Sequence, residues 1–129
     1  MEVPLRAALI EWLAADSLLS AELNAVTEEA PSRTSLPWLA LAASASTDWG
    51  TKTARGREVR IAVELHCRGD APDSAAALIS AIEARIENLP RAQPGFAIAG
   101  ITFLRARAEQ RGETRRAILL EYTFRLLAE

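Results

Sequence analysis

The chain has 129 residues but only one cysteine, one histidine, one tyrosine and one methionine. A single thiol, Cys67, excludes an internal disulfide and suits a reducing compartment. One histidine and one cysteine cannot complete a usual zinc set. Apolar runs are short, and none approaches the roughly 18 residues a membrane span requires. The opening Met1-Glu2-Val3-Pro4 carries an acid and no basic stretch, so a secretory signal is not expected. A net charge of -2 leaves no electrostatic footprint of nucleic-acid binding. A glycine-rich phosphate loop, a Gly-x-Ser-x-Gly elbow and a histidine–acid constellation are all missing. Catalytic, cofactor and metal residues are therefore expected to be none.

What is present is the balance of a globular protein: 50% hydrophobic and 25% charged residues. The length fits one domain, 1–129. No repeat, low-complexity tract or linker divides it.

Leu5, Ala8, Leu9, Trp12 and Leu13 recur at helical spacing, which predicts a helix over residues 3–15. Asp16-Ser17 reads as a break with a new N-cap, followed by a short turn or helix over 18–23. Glu28-Glu29-Ala30-Pro31-Ser32 reads as a loop, with Val26 as the start of a short edge strand. Residues 37–46 predict a strand in which Leu39 and Leu41 alternate with small residues. The clearest strand is 57–68. There Val59, Ile61, Val63, Leu65 and Cys67 point one way; Arg60, Glu64, His66 and Arg68 point the other.

Asp70, Pro72 and Asp73 mark a helix start. Ala75, Leu78, Ile79, Ile82, Ile86 and Leu89 then give the strongest helical period, which Asn88 and Pro90 end. Two strands, 96–109 and 113–127, joined at Gln110-Arg111-Gly112, predict a hairpin. The first of these has two half-apolar faces, and its periodicity assigns neither to the core. The pattern predicts an α+β fold of order α-β-β-α-β-β: a four-stranded, mainly antiparallel sheet with two helices packed on one face.

These elements carry a resemblance. Leu36-Pro37-Trp38-Leu39-Ala40-Leu41 enters a strand, and Thr47-Asp48-Trp49-Gly50-Thr51-Lys52-Thr53 follows it. Next come a charged strand over 58–66, a helix over 74–89 and two closing strands. In this order the chain resembles the tail terminator, or tail completion, proteins of siphophage-like tails and gene transfer agents. Members often place a tryptophan at the end of the charged strand, where this chain has His66-Cys67-Arg68.

The resemblance implies a structural particle protein at the head–tail junction, assembled in the bacterial cytoplasm. It implies a ring of copies, usually six, closing the head-proximal end of the tail tube and ending its growth. The implied partners are the chain itself, the tail tube protein and the head connector or stopper, with no membrane. DNA passes through without being read.

The residues offer candidate contacts. Asp48, Trp49, Lys52 and Arg55 lie in a connection able to reach a neighbour, tryptophan being enriched at interface hot spots. Arg60, Glu64, His66 and Arg68 form a charged strand face suited to setting register between copies. Arg105, Arg107, Arg111, Arg115 and Arg116 gather around the expected hairpin, as contacts for the channel or the connector. The first and third sets also have a plain structural reading: a tryptophan folded over the core edge, and a solvated hairpin balanced by Glu109 and Glu113. His66 and Cys67 are adjacent on one strand and point to opposite faces, which excludes a nucleophile–base dyad between them. Glu28-Glu29 reads as a solvated loop, and Asp70 with Asp73 as helix capping. A neighbouring head–tail connector or minor tail component is the alternative role. A small ligand-binding or enzymatic α+β domain is the alternative from another class.

Overall fold

A computed structural model describes residues 1–69 and 72–129. The elements run α1 (Glu2–Ala14), α2 (Ser17–Glu22), β1 (Val26–Thr27), β2 (Trp38–Asp48), β3 (Gly56–Arg68), α3 (Pro72–Glu87), β4 (Ala92–Gln93), β5 (Phe96–Gln110) and β6 (Arg115–Ala128). The expected helix start at Asp70 lies outside the described residues.

The sheet corrects the expected architecture. It has six strands in the order β1-β2-β3-β6-β5-β4, and it is mixed, because β1 runs parallel to β2. Three helices accompany it instead of two. The pieces beyond that count are small: β1 and β4 have two residues each and α2 has six. α2 and β1 fall where a short turn or helix over 18–23 and an edge strand from Val26 were expected, whereas β4 is too short to complete a recognisable period. What holds them is tertiary. The Leu39 N–H donates to the Ala25 carbonyl at 3.0 Å, and the Ile98 N–H to the Arg91 carbonyl at 2.8 Å. α2 is capped by Asp16, whose carboxylate accepts from the Leu19 N–H at 3.0 Å, satisfying one orphan donor of the first turn.

The core lies between the helices and one face of the sheet. Leu5, Leu9 and Leu13 of α1 pack there with Leu78, Ile82 and Ile86 of α3. From the sheet come Val59, Ile61, Val63 and Leu65 on β3, with Ile118, Leu120, Tyr122, Phe124 and Leu126 on β6. A fully buried leucine contributes on the order of 2 kcal/mol, so the three α1 leucines account for the docking of that helix. α1 and α3 are further clasped by their ends. The Trp12 indole N–H donates to the Arg85 carbonyl at 2.7 Å, and Arg85 Nε donates to the Trp12 carbonyl at 2.8 Å. The Arg85 guanidinium sits 3.4 Å from the Trp12 ring centroid.

Three register shifts explain strand faces that periodicity leaves unassigned. A bulge between Leu41 and Ala43 moves Ser44 and Ser46 to the helix side of β2. There Ser46 Oγ donates to Glu2 at 2.5 Å. On β5, shifts between Ile98 and Gly100 and between Phe103 and Arg105 each reverse the alternation. Helix-side residues are thus Ile98, then Ile101 and Phe103, then Ala106 and Ala108, by pairing with Leu126, Phe124, Tyr122, Leu120 and Ile118.

Candidate functional site

The second face of the sheet carries no helix among the described residues, since the helices pack into the core cluster on the first. The charged residues expected from the 57–68 alternation do share this outer face. Glu58, Arg60, Glu64, His66 and Arg68 alternate with the buried β3 residues. Pairing with β6 and β5 sets them beside Arg115, Glu121 and Arg125, then Arg105, Arg107 and Glu109.

These side chains are tied across strands. Arg105 forks onto Glu121, with Nε–Oε2 2.6 Å and Nη2–Oε1 3.4 Å. That hydrogen bond holds the Glu121 carboxyl below its ordinary range and raises the Arg105 guanidinium. Arg125 donates to Glu58 at 3.1 Å. In the turn, Arg111 reaches Glu109 at 3.2 Å and Glu64 at 3.5 Å, and Arg107 reaches Glu109 at 3.1 Å. Arg111 and Arg107 together lower the Glu109 carboxyl. Exposed pairs of this kind each contribute little to stability, about 0–1 kcal/mol. Their effect is to fix where the charges stand.

His66 differs from its charged neighbours on this face in being buried. It is 3% exposed, stacked on Trp38 at 3.9 Å between centroids and 13° between planes. Its Nδ1 accepts from Arg115 Nη2 at 3.0 Å, and its Nε2 pairs with Glu64. Accepting at Nδ1 leaves the proton on Nε2, facing the carboxylate. Burial lowers the His66 pKa; Glu64 opposes this, while Arg115 and Arg111 reinforce it. Trp38, Glu121 and Arg125 also belong to this face, beside the β3 charges, and were not named as candidate contacts. Their place depends on cross-strand register, which no single strand displays.

The Asp48-to-Arg55 connection is a tight β2–β3 turn. Trp49 N–H donates to the Gly56 carbonyl at 3.1 Å, and Thr51 N–H to the Ala54 carbonyl at 2.7 Å. The Thr51 hydroxyl accepts from Ala54 N–H at 3.1 Å. A Cβ at Gly56 would lie 2.8 Å from the carbonyl oxygens of Leu126 and Trp49, so only glycine allows the approach. Trp49 is half-buried with Arg125 5.4 Å from its ring, while Asp48, Lys52 and Arg55 are exposed.

The β5–β6 turn, residues 111–114, is tipped by Gly112 at φ 79°. It gathers Arg107, Arg111 and Arg115, but not Arg116. That residue pairs with Cys67 and lines a groove on the helix side with Ala75, Ile79 and Ala106. Cys67 is buried as expected, and burial raises its thiol pKa, which disfavours the reactive thiolate.

A depression of about 620 Å³ is an open groove beside β2 lined by Arg6, Glu28, Trp38 and Glu64. Among the described residues, no group of three or more His, Cys, Asp or Glu is placed to hold a metal ion. No described helix is long and apolar enough to cross a membrane.

Comparison with known proteins agrees with the sequence resemblance. A chain of the structure "Virion of native gene transfer agent (GTA) particle" superposes with a TM-score of 0.84 and 21% identity. The match covers 98% of this chain and 97% of that one, so the fold is shared from end to end. No curated protein matches. Residues 7–127 match the family described as tail completion protein gp17. The match takes in nearly every element from α1 to β6, and the chain belongs to that family of tail completion proteins, structural components of phage and gene-transfer-agent tails.

Proposed function

We propose that this chain closes the head-proximal end of a tail tube as a ring of copies, ends tube growth and presents a surface for the head connector. The observation that carries this reading is the family match over residues 7–127, with a charged sheet face that no described helix covers. Proteins of a closed ring need a heterologous contact and two further surfaces, one for each neighbouring layer. The outer face and its two turns supply candidates. Asp48, Trp49, Lys52 and Arg55 sit at one end of the sheet, and Arg107, Arg111 and Arg115 at the other. A particle role, with no catalytic residues, follows from the same reading.

Native mass spectrometry of the purified protein, with negative-stain images, tests the ring. A closed oligomer, six copies being the expected number, supports it. A protein that neither forms rings nor caps tail tubes overturns it. Particles lacking the chain separate terminator from connector: overlong tails indicate the first, and tails of normal length without heads the second.

A further inference from the structure

The sheet has two open edges. On β2, pairing with β1 ends at Thr27–Ala40, so residues 41–48 have no strand on their outer side. On β5, pairing with β4 ends at Ala97, and the Ile98 N–H bonds to Arg91. Residues 99–110 are thus open on that side. Open edges leave backbone donors and acceptors unpaired, and monomeric proteins commonly blunt them with lysine, proline or extreme shortness. Residues 41–47 of β2, Leu-Ala-Ala-Ser-Ala-Ser-Thr, contain no charge and no proline. On β5, Phe103 and Leu104 are 43% and 39% exposed.

We propose that these two edges are the halves of one head-to-tail contact, with residues 41–48 of each copy pairing antiparallel to residues 99–106 of the next. The inference rests on the ring reading and names the contact that would close it. Three observations carry it.

The first is direction. β2 and β6 run one way, and β3 and β5 the other. Rotation about an axis lying along the strands preserves direction, so the neighbour's β2 arrives antiparallel to β5. The second is level. Across the sheet, Ala43 aligns through Ala62 and Glu121 with Arg105, and Thr47 through Glu58 and Arg125 with Gly100. The open stretch of β2 therefore stands at the height of residues 100–105, where β5 is also open. The capped ends, β1 on one edge and β4 on the other, lie at opposite heights and do not collide. The tilt of a closed sheet shifts this register by a few residues without removing the overlap.

The third is complementarity. Ala43, Ser44 and Ala45 are small and exposed, and they would meet Thr102, Phe103, Leu104 and Arg105. Arg105 is drawn back onto its own Glu121, so no charge bars the approach.

Amide hydrogen exchange on the assembled full-length protein tests the pairing. Outward amides within 43–48 and 99–106 are expected to slow together on assembly, by on the order of 100-fold. Mixing adds a second reading. A β2-edge variant, Ala43→Lys with Ala45→Lys, and a β5-edge variant, Leu104→Lys, should each stay monomeric yet fold, as judged by circular dichroism. Combined, they should form one-to-one heterodimers, because one good edge remains on each, and no rings. Rings whose edge amides exchange freely would overturn the edge contact and leave the ring reading standing. Homodimers of either variant would mark an isologous contact and also overturn it. Absence of any assembly by the unaltered protein, alone or with tail tubes, would overturn both.

Discussion

At the residue scale, two buried polar groups have effects on stability that can be tested. The Tyr122 hydroxyl is buried with no hydrogen-bond partner among the described residues, and burial raises its pKa well above the ordinary range. An unsatisfied buried hydroxyl costs about 1–3 kcal/mol, while the ring packs against Phe103 edge-on at 5.5 Å. Tyr122→Phe keeps the ring and removes the cost. Its unfolding free energy in urea should rise by about 1 kcal/mol; a fall would show that the hydroxyl has a partner. His66 is the opposite case, with both ring nitrogens engaged. Its folded pKa lies below 6.5. On acidification below that value the unfolded chain takes up a proton that the folded chain refuses, so stability falls with pH in that window. His66→Phe preserves the stack on Trp38 and deletes the titration. The variant should be less stable at pH 7.5 but lose less between pH 7.5 and 5.5 than the unaltered protein. Equal slopes in denaturant titrations would place the proton elsewhere. Glu2 shows the carboxylate form of the same linkage: Ser46 and the backbone hold it at about 2, against an ordinary 4.5. Its contribution is complete above pH 4.5 and drains away as the pH falls toward 2. In Ser46→Ala the carboxyl should titrate closer to 4.5 by NMR.

At the element scale, the helices were legible and the sheet's extent was not. Leu5, Leu9 and Leu13, and Ala75 to Ile86, repeat every three or four residues because one stripe of each helix meets the core. The 57–68 alternation was legible for the matching reason: β3 is central and buries one face. β5 was opaque because two bulges reverse its faces and its outer half is exposed on both sides. β1 showed only as an edge-strand start at Val26 and β4 not at all, because both are held through their neighbours' backbones, so the sheet was counted as four strands where six pair. The Trp12–Arg85 clasp was equally hidden, since an arginine near a helix end reads as solvated. It joins the last turns of α1 and α3 through two backbone carbonyls and a stacked guanidinium. Lysine cannot reproduce that planar contact. Arg85→Lys should cost about 1–2 kcal/mol in unfolding free energy, from one charge-assisted hydrogen bond and one cation–π contact. A loss below a few tenths would mean that the leucine stripe alone sets the packing.

At the scale of the whole molecule, charge is unevenly spread. The chain carries -2 overall, yet the β5–β6 turn region gathers Arg107, Arg111 and Arg115 near Glu64 and Glu109. Exposed pairs like these are worth little to folding, so removing them separates assembly from stability. Arg107→Ala with Arg111→Ala should lower unfolding free energy by less than about 1 kcal/mol and leave the core untouched, both residues being exposed. If this end of the sheet meets the head connector, particles built with the double variant will have tails of normal length, and fewer of them will bear heads. Electron micrographs, scored for tail length and for joined heads, read the two effects separately. Overlong tails would instead assign the arginines to the tube-facing layer. Normal lengths with normal joining would leave them as a solvated turn, and would move the search for the connector surface to Trp49 and Lys52 at the opposite end of the same strands.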